Sequence, residues 1–431
     1  MAEARTLRVD ALARVEGEGA MTVRVVDGRV ETVQLDIFEP PRFFEGFLQG
    51  RSHLEPPDIT ARICGICPVA YQMSSCHALE EALGIEVEEG VRDLRRLLYC
   101  GEWIQSHALH VYLLHAPDFL GYESAVHMAA DHADVVQRGL TLKKVGNELM
   151  EAVGGRAVHP INVRVGGFYR APAKAELERL RPDLEKALED ALATVAWVGG
   201  FPFPELHQDH PFVALHDDDR YAIEDGRLIS STGLDLAPHA WPEHFAEHQV
   251  EHSTALHAVM DGERHYLVGP QARYALNHDQ LSDVAKQAAY AAGLGRECRN
   301  PYQSIVVRAV ETVEACFEAL RILDRYAPPD RPYRDAPPRA ATGHGWSEAP
   351  RGLLYHRYDL NEDGSIRACT IVPPTSQNQA SVEDDLRRFT QAHLHLGDDE
   401  LQWQCEQAIR NYDPCISCST HFLRLKVEGR R

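Results

Sequence analysis

Apolar residues first appear in strict alternation. Met21, Val23 and Val25 face one way, and Val30, Val33, Leu35 and Ile37 resume after Asp27-Gly28. That period, broken by an Asp-Gly pair, predicts a β-hairpin with a tight turn. After Pro56-Pro57-Asp58 the apolar period lengthens to that of a helix, with Asp58 as candidate N-cap. Helical stretches are expected at 59–83, 91–116, 124–151, 173–198, 279–293 and 302–326. Residues 200–275 are interrupted by Pro, His and Gly and read as loops and short strands. A Pro-rich connector, 327–350, leads to a second hairpin at 352–359 and 366–372, turning at Asn361-Glu362-Asp363-Gly364. Helices at 380–396 and 398–411 complete the pattern. The fold class expected is α+β, predominantly α. It is one large domain, 1–431, with long central helices.

Ten cysteines change the picture. Four form two C-x-x-C pairs, Cys64/Cys67 and Cys415/Cys418, about 350 residues apart. Each pair can offer two thiolates, and together they make a four-sulfur site for a soft metal. The fold must close to build it, which argues against separate domains. Cys64 and Cys67 are expected at a helix start, three apart on one face. Arg62 is expected close enough to lower a thiol pKa. Asp413 precedes Pro414 and is expected to be extended. Cys76, Cys100, Cys298, Cys316, Cys369 and Cys405 read as buried small hydrophobes.

The net charge of -21 argues against nucleic acid or an anionic membrane surface as partner. The first residues lack an apolar h-region, and no apolar run approaches a membrane span. A cytoplasmic protein without direct membrane insertion is expected. There is no G-x-G-x-x-G opening a helix and no P-loop, so nucleotide should bind elsewhere.

Arg62-x-Cys64-Gly65-x-Cys67 and Asp413-Pro414-Cys415-x-x-Cys418-x-x-His421 resemble the two signatures of the large, catalytic subunit of [NiFe]-hydrogenases. Leu12–Gly17, Arg42–Arg51, His159–Gly167, Glu348–Gly352 and Pro374–Asn378 resemble further segments of that family, in the right order. Pro68–Ser74 and Gln105–His110 look most like its cytoplasmic NAD(P)-linked hydrogenase/sulfur-reductase branch.

The resemblance implies reversible cleavage of H2. Cys64 and Cys415 would be terminal thiolates on nickel. Cys67 and Cys418 would bridge nickel to an iron carrying one carbon monoxide and two cyanides. Glu16 would relay protons beside Cys415. Glu45, His421 and the carbonyl of Pro374 would hold Mg2+ or another divalent cation. Arg351, after Pro350, and Thr375 fall at one end of the second hairpin, where a guanidinium and a hydroxyl would face a cyanide. Arg351 could also accept the proton. Tyr71 stands where many members have histidine, and Ser106 where membrane-bound uptake members have aspartate before His107. His107, with His110 and His115, would shape the surroundings of the metal or a proton route.

With four cysteines committed, Fe–S clusters, flavin and NAD(P) would belong to partner subunits, beginning with an Fe–S small subunit. Maturation proteins for nickel insertion are implied, and an endopeptidase for the tail 422–431, whose Leu423, Leu425 and Val427 could alternately form an edge strand. The competing readings are a metal-free structural subunit of a related redox complex and a zinc-bearing scaffold.

Overall fold

The computed structural model describes residues 4–420. Its first sheet is antiparallel, with strands Ala4–Val9, Gly19–Val26 and Arg29–Ile37 in that order. Asp27 and Gly28 both have positive φ, 48° and 73°, as a two-residue hairpin turn with right-handed strand twist requires. The inward residues Val23, Val25, Val33 and Leu35 pack on Val382, Leu386, Phe389, Leu401 and Ile409 of two C-terminal helices, Pro374–Ala392 and Asp398–Arg410. The first strand was not visible in the sequence pattern, because its Arg5, Thr6 and Arg8 dilute the apolar signal.

Four long helices, Glu89–Ala108, Ala133–Gly154, Arg181–Val198 and Ser304–Arg325, form the central layer. The first two lie backbone against backbone. A Cβ at Gly101 would sit 2.9 Å from the Gly146 carbonyl oxygen, and one at Gly146 2.6 Å from that of Gly101. The expected helix 91–116 changes to a wider π turn at Leu109–His115, ahead of Pro117, which cannot donate to the carbonyl four residues back. Short strands do punctuate 200–275, among them the antiparallel pair Phe245–Gln249 and Leu256–Met260.

The second hairpin, Gly352–Leu360 with Ile366–Val372, gains a third strand, Ala341–Ala349, in the stretch expected to be a connector. That strand lies directly on helix Pro68–Leu83. A Cβ at Gly343 would fall 1.9 Å from the Ala78 carbonyl oxygen, and one at Gly345 2.3 Å from the Ala78 nitrogen. The glycines that make the stretch look like a loop are what let it touch the helix.

Two local expectations are corrected. Asp58 lies within the short helix Pro56–Thr60, whose N-cap is Glu55. The expected helix 59–83 is broken between residues 63 and 68. Cys64 is extended (φ -143°, ψ 138°), and Cys67 is the N-cap ahead of Pro68. Proline disfavours a helical residue before it, so the C-x-x-C pair sits on a loop, not on one helix face.

Candidate metal centre

All ten cysteines are unpaired, and the four of the C-x-x-C pairs are buried at the heart of the main core. Cys64 Sγ lies 3.5 Å from Cys415 Sγ, and Cys67 Sγ 3.5 Å from Cys418 Sγ. All four sulfurs lie within 4.8 Å of one another. Sulfurs tetrahedrally disposed at about 2.3 Å from a metal would be about 3.7 Å apart, whereas a disulfide needs about 2.05 Å. The donor set therefore fits a soft transition metal. The other cysteines are buried, except for half-buried Cys369.

Two segments are held against each other to make this pocket. Arg42 donates through Nη2 to the Ile63 carbonyl (2.7 Å), just before Cys64, and to the Ser417 carbonyl, between Cys415 and Cys418. Its backbone N–H donates to Thr420 (2.7 Å). The backbone of Glu16 bridges to Cys415, accepting the Ile416 N–H at 3.0 Å. Gly17 has φ 89°, and a Cβ there would lie 2.7 Å from the Ile416 Cβ. Glycine is thus required where the chain crosses the second cysteine pair.

Side chains converge on Cys415. Glu16 Oε2 accepts from Cys415 Sγ (3.2 Å) and from the Ser417 N–H (3.1 Å). Burial, followed by the charge of Cys64, raises the Glu16 pKa against the pull of these donors and Arg351. Thr375 Oγ1 accepts the Cys415 N–H at 3.1 Å, from the first turn of helix Pro374–Ala392. Arg351, buried in the turn between strands, donates through Nε to the Asp413 carbonyl (2.8 Å) and through Nη2 to its carboxylate (3.1 Å). Its Nη1 lies 3.5 Å from Ser106 Oγ, so Ser106 does border the guanidinium. Hydrogen bonding among the clustered sulfurs, and then the positive charge of Arg351, pulls the Cys64 pKa well below the usual thiol value.

The remaining expected residues fall in different places. Arg62 is half-exposed and pairs with Asp58 at 3.1 Å. The expectation that it lowers a thiol pKa is corrected, since the cation acting on Cys64 is Arg351. Asp413 has φ 51°, left-handed rather than extended. Arg351 grips both its carbonyl and its carboxylate, and aspartate tolerates this region better than most residues. His107 is buried, with Nε2 3.0 Å from Glu311 Oε2, and burial lowers its pKa. Tyr71 reaches the Cys418 carbonyl at 3.5 Å. Pro350 accepts from Arg273. Glu45 Oε1 accepts the Ile371 N–H at 2.8 Å, three residues before Pro374. His421 and the tail 422–431 lie outside the described residues.

A sequence profile of nickel-dependent hydrogenases matches residues 42–171 and 265–421. Sulfhydrogenase 1 subunit alpha of Pyrococcus furiosus is 33% identical over 423 residues, covering 97% of this chain and 98% of its own. The chain belongs to the nickel-dependent hydrogenase family. The NAD-reducing hydrogenase HoxS subunit beta of Cupriavidus necator is 28% identical over 471 residues, covering 97% of this chain and 95% of that one. A solved NAD+-reducing [NiFe]-hydrogenase in the H2-reduced state superposes with a TM-score of 0.87 at 26% identity, over 98% of this chain and 100% of that one. As a hydrogenase large subunit, the chain is an oxidoreductase acting on H2. Among its described residues no helix is long and apolar enough to cross a membrane.

Three residues that shape the cysteine pocket escaped the sequence reading. Arg42 was read only as part of a segment, not as the bridge between the cysteine pairs. Glu102, fully buried, accepts the N–H groups of Val69 (2.6 Å) and Ala70 (3.2 Å), where the helix after Cys67 begins. A carboxylate on the apolar face of a helix was its one available signal. Arg273 donates to the Ala349 and Pro350 carbonyls (2.8 Å each) and pairs with Glu311 and Glu348, so it shapes the turn that carries Arg351. Nothing local marks it.

Proposed function

We propose that this chain is the catalytic subunit of a soluble, cytoplasmic [NiFe]-hydrogenase, running H2 ⇌ 2H⁺ + 2e⁻ by heterolytic cleavage. Residues 1–431 form one domain in this reading. The observation that carries it is the convergence of Glu16, Thr375 and the Arg351–Asp413 pair on the segment bearing Cys415. A zinc scaffold or a metal-free subunit would need none of these.

Cys64 and Cys415 would hold nickel terminally, and Cys67 and Cys418 would bridge it to an iron bearing one carbon monoxide and two cyanides. Such a centre supplies a Lewis-acid position for hydrogen and a redox couple. Glu16 receives the proton held at Cys415 Sγ, 3.2 Å away, and passes it outward. Its raised pKa suits a group that must both take and release a proton. Arg351 sets a fixed positive charge beside the thiolates, aimed by Asp413 and Ser106. Thr375 anchors the Cys415 amide and keeps its own hydroxyl proton to donate to a cyanide. His107, buried 3.0 Å from Glu311, belongs to the polar surroundings of Asp413. Glu45, Pro374 and His421 would bind Mg2+ or another divalent cation.

Electrons would leave through an Fe–S small subunit toward flavin and NAD(P) subunits; that the relatives are named as lettered subunits, one of them of an NAD-reducing hydrogenase, supports partner subunits and an NAD link. Maturation proteins would load nickel, and an endopeptidase would remove residues 422–431.

The test is Glu16→Gln in the purified complex, with nickel and iron analysis and infrared spectroscopy. The carbon monoxide and cyanide bands and the nickel content should stay, while H2 oxidation falls by about 10²- to 10⁴-fold. Unchanged turnover overturns the relay. Zinc without nickel or such bands in the parent complex overturns the whole reading.

A further inference from the structure

A second cluster of metal-ligating side chains lies away from the cysteines. His252, in the turn before strand Leu256–Met260, His257 in that strand, and Glu383 on helix Pro374–Ala392 bring their ligand atoms within 4.8 Å of one another. His252 Nε2 is 2.7 Å from Glu383 Oε1. The two imidazoles stand edge to face, with ring centroids 5.6 Å apart at 84°.

His257 is the observation that asks for a ligand. It is only 6% exposed, and its buried Nε2 has no hydrogen-bond partner among the described residues. A buried imidazole nitrogen without a partner carries a desolvation cost that a metal bond would remove.

We propose that His252, His257 and Glu383 form a binding site for one borderline divalent transition metal ion of the zinc type, independent of the cysteine centre. Two imidazoles and one carboxylate are a common donor set for such an ion, which needs one further position for water. Donors at about 2.0–2.1 Å from a tetrahedral metal stand about 3.4 Å apart. His252 and Glu383 must therefore part slightly, and His257 must close in. His252 lies in a turn and can make that adjustment. The ion would replace the proton shared by His252 Nε2 and Glu383 Oε1, releasing it to solvent. Outer support is present. Glu383 Oε1 also accepts the Leu35 N–H at 2.8 Å. An open cavity of about 590 Å³, lined by Ile37, Phe43, Gln249 and His252 among others, gives access from solvent.

The ion would pin the 245–260 hairpin to helix Pro374–Ala392, whose Glu383 already holds strand Arg29–Ile37 through the Leu35 N–H. That helix carries Thr375, which holds Cys415. Its expected role is to stiffen the frame of the catalytic pocket rather than to take part in turnover.

The test uses the intact complex. After passage over a chelating resin it should retain one zinc per chain beyond its nickel and iron, or take up one equivalent of added Zn2+. His257→Gln should lower zinc occupancy at least about tenfold while nickel content stays unchanged. Cobalt added to zinc-stripped complex should give the visible absorption of a tetrahedral site, lost on adding zinc and absent in His257→Gln. If that variant does not fold, the cobalt titration of the unsubstituted complex decides alone. No cobalt spectrum, or equal zinc in parent and variant, overturns the proposal. Because nickel is counted separately, this outcome is independent of the hydrogenase reading.

Discussion

Replacing Thr375 by valine removes one oxygen and keeps the side chain nearly the same size. The Cys415 N–H then loses its acceptor at 3.1 Å, and Thr375 is only 5% exposed, so water cannot substitute easily. Stranding a buried donor costs about 1–3 kcal/mol. Spread over a chain of 431 residues, that changes the unfolding temperature by only about 2 °C, so heat is a poor assay. Local opening is a better one. The same free energy raises the open population of the Cys415 segment by about 5- to 150-fold. Hydrogen–deuterium exchange of a peptide spanning 412–420 in the purified complex reads that population directly. Thr375→Val should exchange faster by this factor and lose nickel sooner to a chelator. Thr375→Ser, which keeps the acceptor, should stay near the parent. If valine leaves exchange and nickel retention unchanged, the hydroxyl does not anchor Cys415.

Two further outcomes follow from the frame around the site. Gly345→Ala should cost about 3 kcal/mol or more, because its Cβ meets the Ala78 nitrogen and the Ser74 carbonyl of the helix that Cys67 caps; reduced nickel loading and a lower melting temperature check it. Burial opposes ionisation of Glu311, but Arg273 outweighs it and holds the carboxyl down at about 2. The folded pKa lies below the unfolded one, so this pair stabilises the fold above pH ~4.5, and the contribution, roughly 3 kcal/mol, is lost as pH falls toward 2. Denaturant titrations of the parent and Glu311→Gln should diverge at pH 6 and converge in acid; parallel curves would count against it.

Much of the architecture was legible because it rests on local chemistry. The Asp27-Gly28 turn needs two positive φ values, and the flanking alternation sets which residues face inward. The four long helices announce themselves by period. What failed locally did so for a physical reason. Strand Ala341–Ala349 needs glycine to lie against a helix, so it carries little apolar pattern. The helix through the first cysteine pair stops because Pro68 follows Cys67. Asp413 turns left-handed because Arg351, 62 positions away, holds it.

The sequence by itself determined the candidate donors. Two C-x-x-C pairs offer four thiolates, since ligand type is a property of the side chain. Only the tertiary structure decided the machinery that makes the donors a site. Arg42 spanning both cysteine segments, Glu102 at the head of the Cys67 helix, Arg273 beneath the Arg351 turn, and His257 set against His252 and Glu383 are all products of long-range packing. A buried charge is placed by whatever partner can neutralise it, and that partner is chosen in space, not along the chain.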